Sequence, residues 1–239
     1  MTYSAGSYSI IVPVYNEEAI VITAIEQNIS VLTAADVCYE IIVIDDGSTD
    51  QTRSLLNTYF LDNTIVKIIH HNSNHGFGGA VKTGILHSKN TYVLCVPADS
   101  PLTNEVFAAF MNSAPKADVI VSYRIARLGY TPRMRFNSYV YHLLIEFLFD
   151  IHFADFNWIH LYNRKIFDEG KIEITAKGIF MLAEVLIRAN KKGYSFHEIP
   201  VAQTERLTGI ASSNRLTVVL FTLTELFSFL ITEKFNTQD

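Results

Sequence analysis

Only two cysteines occur in the 239 residues, Cys38 and Cys95, and neither belongs to a Cys-x-x-Cys pair or stands at metal-ligand spacing from a histidine. A disulfide scaffold and a cysteine-built zinc site are therefore excluded, and a reducing compartment is the simplest setting. With 6 prolines and 11 glycines the chain is neither collagen-like nor of low complexity. Cations are in deficit: 19 Lys and Arg against 24 Asp and Glu leave a net charge of −5. A general nucleic-acid binder carries the opposite, basic footprint, so no nucleic-acid partner is expected. No uncharged apolar run reaches the roughly 18 residues that read as a membrane span. The nearest stretch, Leu216 to Ile231, is interrupted by Glu225, and Met1 to Ser9 lacks the basic-then-apolar order of a signal peptide. A cytoplasmic protein is expected, at most peripheral on the cytoplasmic face of a membrane.

Apolar residues make up 49% of the chain and charged residues 18%, which excludes disorder. The length suffices for a core without staples. Neither an internal repeat nor a Gly/Pro/Ser linker is visible, so a single domain over 1–239 is expected. Short β-branched runs alternate with helical patterns in the first half. Tyr8–Val14, Glu40–Asp45, Thr64–Ile69, Tyr92–Val96 and Asp118–Ser122 read as strands. Ile22, Ile25, Ile29 and Leu32 fall at helical spacing, Ser48 to Gln51 reads as a capping box opening the next helix, and helices are expected at Gly78 to Ser88 and Asn104–Met111. Later segments predict an amphipathic helix over Met134–Phe149, an extended stretch at 155–165, a helix over Phe180–Lys191, a strand at Tyr194–Val201 and a last helix over Ser213–Phe235. The alternation implies an α/β fold, a mostly parallel central sheet with helices on both faces.

In such sheets ligands bind at the carboxyl ends of the strands, and polar residues collect there: Pro13 to Glu17, Asp45 to Ser48, Asn72 to Gly79, Pro97 to Asp99, and Tyr123-Arg124. Adjacent like charges such as Asp45 and Asp46 cost energy unless a ligand or cation uses them, and carboxylates there can accept from a nucleobase N–H or ribose hydroxyls. Asp99 ends a buried run where a metal-bound diphosphate would sit, and one carboxylate plus substrate phosphates is ordinary Mg²⁺ or Mn²⁺ chemistry. Asn74 to Gly79 only partly matches a dinucleotide fingerprint. It follows the third strand, and Val81 replaces the third glycine. Its glycines are expected to allow a tight turn and close approach of backbone to ligand. Arg124, Arg127, Arg133 and Arg135 lie in a stretch free of acidic residues between Asp118 and Glu146, and arginine's fork suits phosphate. Arg124, at a strand end, is the better candidate of the four.

Ser9 to Glu17, Val43 to Asp50, Asn74-x-Gly-x-Gly-x-Ala80 and Pro97-Ala-Asp99 resemble the family 2 glycosyltransferases of the GT-A fold. Gly178 to Ala189, Glu198 to Val201 and Arg206-x-x-Gly209 narrow the resemblance to the branch of dolichol-phosphate mannose synthase and polyprenyl-phosphate glucosyltransferases. The resemblance covers residues 8 to about 215 and implies inverting transfer of a hexose from a nucleotide-diphosphate sugar, with Mg²⁺ or Mn²⁺, preferably to a lipid-linked phosphate. It implies nucleotide contacts at Pro13, Tyr15, Glu17, Asp45, Asp46, Ala98 and Asp99, with Asp46 the better base contact of its pair. Asp99 corresponds to the second Asp of the family's DxD motif and is the implied metal ligand. Arg124 matches an arginine that meets phosphate or sugar, and Arg206 a basic residue on a closing loop. Asp155 or Glu184 would be the base if the acceptor were a hydroxyl; for Glu184 a helix residue paired with a nearby Arg is an equal alternative. Residues 1–124 would form the nucleotide-sugar half, 125–212 the acceptor side, and 213–239 a C-terminal amphipathic helix.

The chain departs from that pattern in places. Pro97 replaces the first Asp of DxD, Pro101 a Gln, Trp158 a Gly, and Ala211-Ser212 a Ser-Lys pair. The last helix is either interfacial on a membrane or packed on the core or on a second subunit of a homo-oligomer, and a membrane-embedded partner chain is a further expectation. His75, His160 and His197 are expected to be structural. Alternatives are transfer to a glycan hydroxyl in cell-envelope polysaccharide synthesis, or a silent relative that binds nucleotide sugars. A nucleotidyltransferase would want a Gly-rich basic signature after the first strand, and Val12 to Glu18 has neither glycine nor cation.

Overall fold

The structure is a computed structural model that describes residues 6–126, 129–168, 172–203 and 216–236, with side chains in the last segment described from 217 to 233. The chain begins β1 (Ser7–Val14), α1 (Val21–Ala34), β2 (Cys38–Asp45), α2 (Thr52–Phe60), β3 (Val66–His70), α3 (Gly76–His87), β4 (Tyr92–Cys95) and α4 (Asn104–Ser113). A 3₁₀ turn and β5 (Val119–Arg124) follow, then α5 (Pro132–Phe149), β6 (His160–Asn163), a short α6 (Lys165–Asp168), α7 (Met181–Lys191), β7 (Phe196–Val201) and α8 (Leu216–Asn236). The strands expected from the apolar runs form at the expected places. The final helix forms too, although residues 213–215 of its expected span lie outside the described residues.

Seven strands make one sheet in the order β3-β2-β1-β4-β6-β5-β7. The β1–β2, β1–β4, β2–β3 and β5–β7 pairs are parallel, and β6 runs antiparallel to both β4 and β5. Period-2 alternation puts apolar side chains on both faces. Ile10, Val12, Ile41 and Val43 join the core beneath α1, α2 and α4. Ile11, Ile42 and Ile44 face Ala80 of α3 on the other side. A second core, built from Val119, Val121, Phe180, Leu186 and Phe229 among others, seats α5, α7 and α8. Each fully buried Ile or Phe contributes about 1.5–3 kcal/mol of transfer free energy.

Chain order reverses between β1 and β4, the switch point at which an α/β sheet opens a crevice. Pairing of β1 with β4 stops at Ile11↔Cys95, whereas pairing with β2 runs on to Val14↔Asp45. One edge of β1 is therefore free beyond Ile11, which is where Pro13, with no N–H to give to a ladder, is tolerated.

The expected capping box at Ser48 is not a cap. Helix α2 begins at Thr52, with Gln51 as N-cap and no side-chain capping bond. Ser48 Oγ instead accepts from Asn16 N at 3.0 Å, while its own N–H donates to Asp45 Oδ1 at 2.9 Å. Helix α5 forms as expected, capped by Thr131, but Ile145 is its one fully buried side chain. Phe136, Tyr139, Leu143 and Phe147 on α5 are exposed, and so are Leu220, Phe221, Phe227 and Ile231 on α8. No helix of the described residues is long and apolar enough to cross a membrane.

Candidate active site

The loops after β1 and β2 are laced together by side chains. Thr49 N donates to Asn16 Oδ1 (2.8 Å), Glu17 N to Thr52 Oγ1 (2.9 Å), Glu18 N to Asp50 Oδ2 (3.2 Å) and Gln51 N to Glu18 Oε2 (2.8 Å). Asn16 sits at φ 56, a conformation that asparagine tolerates better than most residues. Tyr15 is exposed and Pro13 and Glu17 are half-buried at this rim.

The neighbouring carboxylates Asp45 and Asp46 are both buried, and the protein itself answers their charge. Asp45 accepts from Arg53 Nε at 3.0 Å, from Ser48 N, and bonds His70 Nδ1 at 2.8 Å. Burial opposes its charge, yet the hydrogen bonds from Ser48, Arg53 and His70 outweigh it and hold the carboxyl below the usual range. Asp46 bonds His71 Nδ1 at 2.6 Å and accepts from His75 N (2.9 Å) and Gly76 N (2.8 Å). His71 Nε2 is taken by Thr83 Oγ1 at 3.0 Å, and the His71 and His75 rings lie 4.4 Å apart. A pair that would need an external ligand on sequence grounds is thus satisfied internally. Asp46, His71 and His75 bring ligating atoms within 4.8 Å of one another, but hydrogen bonds already occupy both nitrogens of His71 and both oxygens of Asp46.

The glycines of the β3–α3 turn serve an unexpected neighbour. Gly76 has φ +80, and a Cβ on Gly76 or Gly78 would strike the carbonyl oxygen of Lys177 or Ala176. Gly78 N donates to Lys177 O at 2.7 Å. The close approach expected toward a ligand is an approach of the 175–178 backbone.

Beside this turn opens a cleft of about 820 Å³. His75, Pro97, Asp99, Arg124 and Lys177 line one part of it, and Met134, Phe136, Val140, Val218 and Phe221 from α5 and α8 line another. Arg124 and Asp155 form a buried, two-pronged ion pair, each side chain 4% exposed, with Nε–Oδ2 at 2.7 Å and Nη2–Oδ1 at 3.0 Å. Arg124 Nη1 donates to Tyr130 Oη at 2.8 Å, and its guanidinium lies 4.8 Å from the centroid of Trp158. Burial disfavours the Arg124 cation, but Asp155 and Tyr130 outweigh it and hold its pKa above the ordinary value. Three further side chains of the lining, Tyr141, Asn157 and Trp158, each carry a buried polar atom with no hydrogen-bond partner among the described residues.

The structure thus brings Asp99 and Arg124 to one cleft, with Asp155 behind Arg124. Asp45 and Ala98 are buried, and Pro13, Tyr15, Glu17 and Asp46 stand at the strand ends without lining this cleft. Glu184 is fully buried on α7, where it accepts from Thr175 N, Thr175 Oγ1 and Ala176 N and pairs with Arg188 at 3.0 Å. Of its two sequence readings, the paired helix residue is the one seen. Arg127 and Arg206 lie outside the described residues. His160 is buried as expected of a structural histidine, whereas His75 reaches the cleft. Lys177 and Tyr130 of the lining were missed. Neither carries a local motif, and only the packing of distant segments brings them there.

The profile of glycosyl transferase family 2 matches residues 9–171. An uncharacterized glycosyltransferase of Bacillus subtilis, YkcC, is 26% identical over 204 residues, covering 84% of this chain and 62% of its own length. A dolichyl-phosphate beta-glucosyltransferase of Dictyostelium discoideum is 39% identical over 98 residues, 38% of this chain and 30% of that protein. The chain therefore spans less than two thirds of the length of these relatives. Glucosyl-3-phosphoglycerate synthase of Mycobacterium tuberculosis, crystallised with Mn²⁺, UDP and phosphoglyceric acid, shares the fold at TM-score 0.72 and 14% identity, over 95% of this chain and 79% of that one. Mannosyl-3-phosphoglycerate synthase from Rubrobacter xylanophilus does so at TM-score 0.71 and 15% identity, over 96% and 75%. These likenesses establish the GT-A fold expected from the motifs. Because the family profile takes in well over half of its residues, the chain belongs to glycosyl transferase family 2.

Proposed function

We propose that the chain moves a hexose, with inversion, from a nucleotide-diphosphate sugar of GDP-mannose or UDP-glucose type to a polyprenyl- or dolichyl-type phosphate. The observation that carries the acceptor class is the state of the two candidate bases. Asp155 is committed to Arg124 by two hydrogen bonds, and Glu184 is fully buried and committed to five. A sugar hydroxyl acceptor needs a base within reach. A phosphate monoester is already anionic near neutral pH and needs none. The apolar lining supplied by α5 and α8, and the exposed Phe136, Tyr139 and Phe221 on those helices, suit the isoprenoid part of such an acceptor.

In this reading an acceptor phosphate oxygen attacks the anomeric carbon, the bond to the nucleoside diphosphate breaks, and its electron pair leaves on the diphosphate. Arg124 receives a phosphate oxygen on Nη1 by displacing Tyr130, while Asp155 keeps Nε and Nη2 and fixes the direction of the fork. Trp158 and the unpartnered polar atoms of Tyr141 and Asn157 offer the sugar a face and hydrogen bonds. Asp99 gives the cleft one hard oxygen donor. That set fits Mg²⁺ or Mn²⁺, which take most of their ligands from substrate phosphates and water. Asp99 would hold the cation, which when bound neutralises the departing diphosphate. Residues 1–124 carry the donor and 125–212 the acceptor side, at the surface of a membrane.

The test is transfer of labelled glucose or mannose from UDP-glucose or GDP-mannose to undecaprenyl or dolichyl phosphate in detergent. The reading predicts an acid-labile lipid-linked sugar. Label that reaches only a glycan hydroxyl would replace the lipid acceptor with the glycan one.

A further inference from the structure

Four consecutive backbone N–H groups, Thr175 to Gly178, are held by two carboxylates from two different helices. Glu184 of α7 takes Thr175 N (3.0 Å) and Ala176 N (2.8 Å). Glu225 of α8 takes Lys177 N (2.6 Å) and Gly178 N (2.9 Å). Carboxylate–amide bonds of this kind are charge-assisted and stronger than neutral ones. The opposite edge of the same segment faces the cleft wall. Its Lys177 carbonyl accepts from Gly78 N at 2.7 Å, and only glycines at 76 and 78 leave room for it. Gly76 N in turn donates to Asp46 Oδ2 at 2.8 Å. His75, Gly76, Phe77, Lys177 and Gly178 all line the cleft, whereas Glu225 does not.

We propose that Glu225 is a positioning residue for the donor site, holding residues 175–178 against the glycine turn so that the seating of α8 sets the shape of the cleft wall. This rests on the transfer reaction proposed above. It also explains a sequence anomaly, the one carboxylate that interrupts the apolar run from Leu216 to Ile231. Among the described residues, the charged and titratable groups around Glu225 are Glu184 from α7 with its partner Arg188, Lys177 on the held segment and Tyr141 from α5. Burial, and then the charge of Glu184, raise the Glu225 carboxyl above its ordinary value despite the two amide bonds. The contact therefore loosens at a higher pH than one made by an exposed glutamate.

The experiment compares the full chain with Glu225→Gln and Gly178→Ala. The second variant strains the same contact from its other side, since a Cβ there lies 2.7 Å from Glu225 Oε2, the mobile end of a side chain. Hydrogen exchange is followed at residues 74–80, 175–180 and along α8, and donor KM and kcat are measured with UDP-glucose and GDP-mannose. Faster exchange at Gly76 to Gly78, remote from the substitution, together with a donor KM raised about tenfold at nearly constant kcat, supports the proposal. Exchange changes confined to 177–178 and α8, or an unchanged donor KM, overturn it. Should the unaltered chain transfer from neither donor, the transfer reading fails by itself, and exchange at Gly76 to Gly78 alone decides whether Glu225 positions the turn.

Discussion

Removing the Asp99 carboxylate takes from the cleft its one proposed cation ligand without touching the core. Asp99→Ala is expected to lower turnover by at least about a hundredfold while thermal melting stays where it is. Unchanged turnover would remove Asp99 from the mechanism. Asp155→Asn acts on a buried pair instead and leaves the Arg124 charge unanswered at 4% exposure. Urea unfolding should report a loss of about 3–5 kcal/mol, where an exposed pair would show almost none. His160 is held neutral by burial, its pKa brought from 6.5 down to about 4. Between those values the unfolded chain binds the additional proton, so this residue's contribution is complete above 6.5 and is lost as pH falls toward 4. The slope is up to about 1.4 kcal/mol per pH unit. Urea unfolding of His160→Asn across that window should show a flatter pH dependence than the unaltered chain; equal slopes would show that burial does not govern this histidine. Residue types were legible in the sequence where a motif carried them, as at Asp99 and Arg124. Partners were not: Arg53, His70 and His71 answer Asp45 and Asp46 from other elements, and no local pattern announces them.

Strands and helices followed the apolar pattern closely because the inner strands β1, β2 and β4 bury both faces and each inner helix has a distinct apolar side. Element ends were harder to read. Ser48 looks like a cap from its local sequence, but the loop after β1 offers Asn16 N as a competing donor, and that tertiary contact prevails. Period alone also misjudged α5. Its apolar residues suggest a buried stripe, yet Phe136, Tyr139, Leu143 and Phe147 face outward. With Leu220, Phe227 and Ile231 of α8 they give the two cleft-lining helices an apolar outer surface, which the lipid-acceptor reading assigns to a bilayer. Phe147 is 86% exposed and Ile231 57%. Replacing both with serine should lower partition into phosphatidylcholine–phosphatidylglycerol vesicles by more than tenfold, since each large apolar side chain is worth about 1.5–3 kcal/mol when buried, with no fall in melting temperature. Equal co-sedimentation of the double variant would take these helices off the membrane.

Across the molecule, one change of direction makes the site. The sheet grows outward from β1 on both sides, and the crevice opens where β1 and β4 part company after Ile11 and Cys95. That much follows from strand–helix alternation. The insertion of β6 antiparallel between β4 and β5 does not, because a four-residue strand at the end of an extended stretch carries no signal of its direction. It is nonetheless the element that carries Asp155 and Trp158, just before it, toward Arg124. The 175–178 segment is equally silent in sequence, since its grip on α3 depends on glycines a hundred residues away. What the whole arrangement is for is tested most directly by calorimetric titration with UDP, GDP, UDP-glucose and GDP-mannose, each in Mn²⁺ and again in EDTA. Binding of one base's diphosphate and its sugar in Mn²⁺, lost in EDTA and in Asp99→Ala, is the predicted result; heat from none of the four would contradict a donor site in this cleft.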